Sequence, residues 1–229
     1  MKIILTIILM MSSIVFTQSG VRIIGGITYS SISGDELAES LTGGTGIEIN
    51  TESIMGFRFG AEKTLANGLI TGATYSHRGV SFSANESYYD SGVIGTVSLD
   101  ADIKFAYLTG YVLKPFPFKE GIDLLAGAEI GYFRNMEMKA KIIGEVCYDG
   151  NCEPIPGATQ NINEDIDADD WQDNADGNMM DYGIVFGGRY AINEQMSLVG
   201  TYYFGLAEAA DDISDKHQGF QINISYALQ

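Results

Sequence analysis

The segment Gln218-Gly-Phe-Gln-Ile-Asn-Ile-Ser-Tyr-Ala-Leu228 alternates apolar and polar side chains without a break. Successive side chains of an extended chain point to opposite faces. Phe220, Ile222, Ile224, Tyr226 and Leu228 therefore share one face, and Gln221, Asn223, Ser225 and Ala227 share the other. One such strand could belong to any half-buried sheet. The pattern recurs about eight times along the chain, separated by turn residues or long polar segments, and the smaller, more polar face carries the charges. A closed barrel that turns its apolar face to lipid and its polar face to its own interior is written this way.

The N-terminus points to export. Lys2 precedes an apolar run from Ile3 to Phe16, followed by Thr17-Gln18-Ser19-Gly20, as at a secretory cleavage site. The run is shorter than the roughly 18 apolar residues a spanning helix needs, so residues 1–18 read as a cleaved signal peptide. No later segment could span as a helix, and whatever crosses a membrane must be strands. The remaining residues, 19–229, show no linker or compositional break and read as one domain. Glycine, at 28 of 229 residues, is well above the usual ~7%, and it lets strands curve and approach closely in a small barrel. A net charge of −17 without clustered Lys and Arg excludes a nucleic-acid surface.

Strands are expected at about Val21–Ile32, Met55–Leu65, Leu69–Val80, Leu99–Lys114, Gly121–Phe133, Tyr182–Ile192, Met196–Leu206 and Gln218–Leu228. The connections alternate in length. Ser33–Ile54, Ser81–Ser98, Arg134–Asp181 and Ala207–His217 are long or moderate; Ala66–Gly68, Pro115–Glu120 and Asn193–Gln195 are short. Short periplasmic turns and long extracellular loops follow this rule, and an even strand number leaves both termini in the periplasm. The expected fold is all-β: an eight-stranded antiparallel up-and-down transmembrane barrel with a large extracellular loop at about 134–181, in a bacterial outer membrane.

Placing the bulky apolar side outward sends Phe57, Phe59, Ile103, Phe105, Tyr107, Tyr111, Ile122, Leu124, Ile130, Tyr132, Ile184, Phe186, Tyr190, Leu198, Tyr202 and Phe204 to lipid. The other face then carries Arg22, Arg58, Glu62, Arg78, Asp102, Lys104, Asp123, Glu129 and Arg189 among glycines. Charges inside so narrow a barrel must pair, which predicts an ion-paired plug with Arg58, Arg78 and Arg189 engaging Glu62, Asp102 and Glu129. Eight strands leave room for little more than their own side chains. A soluble lipocalin-like barrel is also eight-stranded and secreted, but its sidedness is the reverse.

Phe105-Ala-Tyr-Leu-Thr-Gly-Tyr-Val-Leu-Lys-Pro-Phe116, Leu124-Leu-Ala-Gly-Ala-Glu-Ile-Gly-Tyr132, Tyr182-Gly-Ile-Val-Phe-Gly-Gly188, Leu198-Val-Gly-Thr-Tyr-Tyr-Phe-Gly-Leu206 and Phe220-Gln-Ile-Asn-Ile-Ser-Tyr226 together resemble the PorT-type outer-membrane β-barrel domain. The resemblance covers nearly all of the chain after residue 18 and implies fold and location more than activity. The founding member of that family is associated with a protein-secretion and gliding-motility apparatus, and most of its relatives carry no assigned role. Leu108-Thr109-Gly110 stands where that family commonly has Glu-Ile-Pro, and the loop Arg134–Asp181 is enlarged.

Cys147 and Cys152 flank Tyr-Asp-Gly-Asn, and Asp-Gly is a hairpin-turn dipeptide. In an exported loop this spacing predicts a local disulfide. The acidic run from Asn163 to Gly177 offers Asp165, Asp167, Asp169, Asp173 and Asp176 as weak divalent-cation ligands, out of register for an EF-hand. With few apolar residues beyond Ile166 and Trp171, this run is expected not to fix its own conformation. No other cofactor is expected. The adjacent Ser76 and His77 point to opposite faces of one strand, and His217 has no nucleophile beside it in sequence, so no hydrolase site is legible. The expected partners are outer-membrane lipid and lipopolysaccharide, and a protein at the acidic extracellular loops or periplasmic turns, with the barrel itself a monomer. Two function classes follow: a plugged barrel with a structural or interaction role, and a small transporter or channel.

Overall fold

A computed structural model describes residues 20–33, 49–90, 93–148, 151–170, 178–208 and 215–228. The expected signal peptide and most of the first long loop lie outside the described residues. The described residues form ten strands: β1 Val21–Ser33, β2 Ile49–Thr64, β3 Ile70–Asp90, β4 Val93–Lys119, β5 Ile122–Tyr148, β6 Asn151–Pro154, β7 Gln160–Asp167, β8 Met180–Ala191, β9 Met196–Gly205 and β10 Lys216–Ala227. Eight of them form an antiparallel ring in the order β4-β3-β2-β1-β10-β9-β8-β5, closed by β4 pairing with β5. The first and last strands zip together from Arg22↔Ala227 to Ser33↔Lys216, which removes the open edges of a flat sheet.

The three short connections lie at one end. In the β2–β3 turn Gly68 adopts φ +83°, a left-handed conformation that disfavours other residues, and Asn67 Oδ1 accepts the Leu69 N–H at 3.1 Å. In the β8–β9 turn Asn193 Oδ1 accepts from the Gln195 and Met196 amides. These are Asx-type turns, and they mark the periplasmic end.

At the opposite end the strands outrun expectation. Within Ser81–Ser98, expected as a loop, residues 81–90 and 93–98 are strand, with β3 and β4 paired up to Asp90↔Val93. The described residues of Arg134–Asp181 are also largely strand. After leaving β8 at Tyr132, β5 pairs with β7 over Asn135–Ile142 and with β6 over Glu145–Tyr148. The reason lies in alternation that a polar composition hides. Val80, Phe82 and Ala84 are buried while Ser81 and Ser83 are not, and Ile166 of the acidic run packs on an apolar cluster. A neighbouring strand supplies the hydrogen bonds that the segment could not make alone. The expectation that Asn163–Asp167 lacks a conformation of its own is thereby corrected.

Sidedness follows the alternation on most strands. Ile23, Ile27, Phe57, Phe59, Leu124, Ile130, Ile184, Phe186, Leu198, Phe204, Ile222 and Ile224 stand exposed around the ring, an apolar belt far larger than a soluble monomer shows and suited to lipid. Strand β4 is the exception. Ile103, Phe105, Tyr107 and Tyr111, expected outward, are each no more than 4% exposed and face inward, while Asp102 is exposed and Lys104 half-buried on the outer face. Two causes combine. Tyr107 and Tyr111 are amphipathic and carry hydroxyls to polar partners inside, leaving Val112 and Phe116 exposed on the outer side. Ile103 and Phe105 lie where the strand has risen beyond the belt, so the outer face meets water and the charges Asp102 and Lys104 belong there. A bulge at the same level, Ala106↔Asn135 followed by Tyr107↔Phe133, leaves Arg134 unopposed and shifts the inward parity of β5.

Two apolar clusters fill parts of the interior. One, around Val80, Phe82, Ile103, Phe105, Phe133 and Met136, sits at the extracellular end. The other, Ile70, Tyr111, Leu113, Leu125, Val185, Val199 and Tyr203, lies within the ring toward the short turns.

Candidate functional site

Between and beside these clusters the interior is ionic. β2 and β3 point Arg58 and Arg78 inward, β5 points Glu129 and β8 points Asp181; all four are buried. Arg58 Nη1 donates to Glu129 Oε2 at 2.7 Å. Arg78 donates to the other oxygen of Glu129 and to Asp181. Tyr203 Oη donates to Asp181 Oδ1 at 2.6 Å, and its ring lies 3.8 Å beneath the Arg78 guanidinium, a cation–π contact in a desolvated place. Glu129 thus joins two arginines, and Arg78 joins two carboxylates.

A second group lies nearer the short turns. Glu62 Oε1 accepts from Arg189 at 2.6 Å and from Ser225 Oγ at 2.6 Å, and its Oε2 accepts from Tyr111 Oη at 2.9 Å. Arg22 approaches it at 3.8 Å and donates to Ser225 Oγ and Ser197 Oγ. Tyr111 reaches across because Gly72 opposes it: a Cβ there would meet the tyrosine ring at 2.4 Å. The two groups touch at Arg58, whose guanidinium lies 4.9 Å from the centre of the Tyr111 ring.

The expected lumen residues therefore divide. Arg22, Arg58, Glu62, Arg78, Glu129 and Arg189 are brought together. Asp123 stands opposite Arg189 in register on the inward face, yet among the described residues it makes no ion pair. Asp102 and Lys104 belong to the outer face above the belt, and the carboxylate expected from Asp102 comes instead from Asp181. Sequence reasoning left Asp181 at the end of a loop, although it is in phase with the inward Gly183, Gly187 and Arg189. His217 was likewise placed at a loop end. It is buried, with Nε2 3.1 Å from Tyr107 Oη and its ring 5.1 Å from that of Phe105. Asp215, expected in an outer loop, is buried beside it in sequence.

Cys147 and Cys152 face each other in register at the β5–β6 hairpin and are joined by a disulfide. Among the cation-ligand candidates, Asp167 Oδ1 accepts the amides of Asp169 and Asp170, both at 3.0 Å, an N-cap arrangement. Asp165 and Asp169 are exposed, and Asp173 and Asp176 lie outside the described residues. Among the described residues no three acidic, His or Cys side chains converge as metal ligands would. Ser76 is buried inside while His77 faces out against Phe57, ring centres 4.0 Å apart, so the two side chains do not meet.

No protein-family model and no curated protein matches the chain. Solved structures similar to it include Neisserial surface protein A, at 12% identity and TM-score 0.48 over 92% of this chain and 98% of that one. Ail, the attachment invasion locus protein of Yersinia pestis, is 14% identical with TM-score 0.45 over 92% and 100%. The outer membrane protein OprG from Pseudomonas aeruginosa is 12% identical with TM-score 0.40 over 93% and 97%. The chain's own closed ring of eight antiparallel strands, outward apolar belt and short turns at one end have the architecture of an outer-membrane β-barrel.

Proposed function

We propose that this chain is a non-conducting outer-membrane barrel with a structural or interaction role, working through the surface it presents beyond the membrane. The observation that carries this reading is the occupied interior. Arg58 and Arg78 are no more than 4% exposed and each engages a carboxylate, and the space remaining beside Arg58, Glu62 and Asn223 is about 10 Å³, room for a single water. Hydrated ions have no continuous path through such an interior. Above it, β3, β4, β5 and β7 raise a sheet out of the membrane, flanked by loops rich in Asp and Glu. Outer-membrane lipid and lipopolysaccharide are its surroundings, and a protein partner would engage the extracellular loops or the periplasmic turns. The PorT-like strand patterns agree with this reading and extend it to a secretion apparatus.

Single-channel recording in planar bilayers tests the proposal. The refolded barrel should be silent at voltages where an open porin conducts. Stable unitary steps would replace this reading with that of a small channel or transporter.

A further inference from the structure

The cations of this chain are unevenly placed. Of its 13 Lys and Arg residues, Lys2 lies in the expected signal peptide, four arginines face the lumen and three lysines lie at the short-turn end. Beyond the belt, on the outer face, are Lys104, Arg134, Lys139, Lys141 and Lys216. The first four are on β4 and β5, and Lys216 is on β10, across the ring. In a chain of net charge −17, four of the five extracellular cations lie on one side of the ring, interleaved there with Asp100, Asp102, Glu137 and Asp165.

The strand register orders that side from the membrane upward. At belt level Phe57, Phe59, Tyr75 and His77 form one outward aromatic patch, with ring centres 4.0 to 6.2 Å apart. Tyr75 Oη reaches Asn135 Oδ1 at 3.4 Å, where the bulge turns Arg134 out. The next row is Lys104–Glu137–Asp165, and above it come Ser81–Asp102–Lys139–Asn163 and Ser83–Asp100–Lys141–Asn161. Asp100, Asp102, Lys139, Lys141, Asn161 and Asn163 bound an open groove of about 340 Å³. Although Asp102 faces Lys139 and Asp100 faces Lys141, neither pair closes to an ion pair; Asp102 Oδ1 accepts from Ser81 Oγ at 2.7 Å, and its other oxygen, Asp100 and the two ammoniums can turn to a ligand.

We propose that this stripe docks one lipopolysaccharide molecule: acyl chains on the aromatic patch, lipid A phosphate at Lys104 and Arg134, and inner-core sugar in the groove. The inference rests on the outer-membrane reading above and deepens it. The order of chemistry is the argument. Rings at lipid level suit hydrocarbon, the cations Lys104 and Arg134 just above suit phosphate, with Glu137 in register beside Lys104, and interleaved Asp, Asn and Lys suit dense hydroxyl groups, which need acceptors and donors side by side. From the row of His77 to that of Asp100 is six residues of strand, about 20 Å along the chain, enough for headgroup and core sugars.

The test uses the refolded barrel, residues 19–229, in detergent. Rough lipopolysaccharide should bind, and the double variant Lys104→Gln, Arg134→Gln should bind it about thirtyfold more weakly. Lys216→Gln should bind as the unsubstituted barrel does. Lys139→Gln with Lys141→Gln should weaken rough lipopolysaccharide but not lipid A lacking core sugar. No binding, equal weakening by Lys216→Gln, or equal competition by phosphatidylglycerol micelles would overturn the proposal, the last two leaving only general charge attraction. Should a stripe variant fail to recover its heat-modifiable form, the folded barrel that resists SDS until boiled, lysine acetylation of the unsubstituted barrel decides. Lipopolysaccharide should protect Lys104, Lys139 and Lys141 more than Lys216, and uniform labelling would count against the stripe. Failure of the outer-membrane reading has a different signature, a barrel that is soluble and folded without detergent.

Discussion

The part of the ring inside the belt and the sheet standing above it obey opposite rules on the same strands. Within the belt, β2 and β5 put Phe57, Phe59, Leu124 and Ile130 outside and Arg58, Glu62 and Glu129 inside. Above it, β4 and β5 put Ile103, Phe105 and Met136 inside and Asp102, Lys139 and Lys141 outside. The backbone stays antiparallel strand throughout, with a bulge at Arg134, a register shift between Ser53 and Arg58, and the exchange of β8 for β7 beside β5. What changes is the outer solvent, from hydrocarbon to water, and each face takes the side chains its surroundings favour. The buried charges are tolerable in the lower region because each is ion-paired, even though Nε of Arg58, Arg78 and Arg189 finds no hydrogen-bond partner, whereas the upper region holds together as a soluble protein does.

That contrast can be broken or sharpened by substitution. The largest loss is expected from Arg78→Met, which leaves Glu129 and Asp181 buried without their shared cation. Roughly 3–5 kcal/mol of stability should go, read from urea titration of the heat-modifiable form. A loss near that of a surface pair would mean that the ionic interior around Arg78 is wetter than its burial implies. Phe105→Ala, in the apolar interior of the upper region, should cost about 3 kcal/mol through the cavity it leaves. If it cost little, Phe105 would be facing outward, as the sequence pattern by itself implies. Replacing Cys147 and Cys152 together by Ser should cost about 2 kcal/mol or less, since the closed loop is short. The effect should be confined to the hairpin, seen as faster protease cleavage near its tip with the lower ring intact. Asp102→Asn should change stability by no more than about 0.5 kcal/mol, because the side chain is exposed. A loss comparable to that of Arg78→Met would return Asp102 to the lumen and undo the assignment of β4.

The uneven legibility of the strands follows from the same contrast. β10, β9 and β8 lie almost wholly within the belt, and simple alternation located them to within two residues and assigned their faces. β3, β4 and β5 extend beyond it. There the rule that apolar means lipid-facing misplaced Asp102, Lys104, Ile103 and Phe105, because it assumed one outer solvent along the whole strand. Tyr107 and Tyr111 misled it within the belt, since an aromatic ring with a hydroxyl can line a polar interior as readily as it can face lipid. Asp181 and His217 were passed over because each sits at the first residues of a strand, where composition still reads as loop.

Period-two alternation, the lengths of the connections and the absence of any helix-length apolar run after residue 16 were sufficient for an all-β chain with eight spanning strands, and Cys147 and Cys152 were close enough in sequence to show their pairing. Those features are local: each depends on neighbours a few residues away. Which carboxylate meets which guanidinium, where β5 exchanges β8 for β7, and which end of β4 has left the membrane depend on residues up to 127 positions apart, as Glu62 and Arg189 are. Ring closure and register bring such residues together, and a one-dimensional pattern contains neither until the strands have been paired.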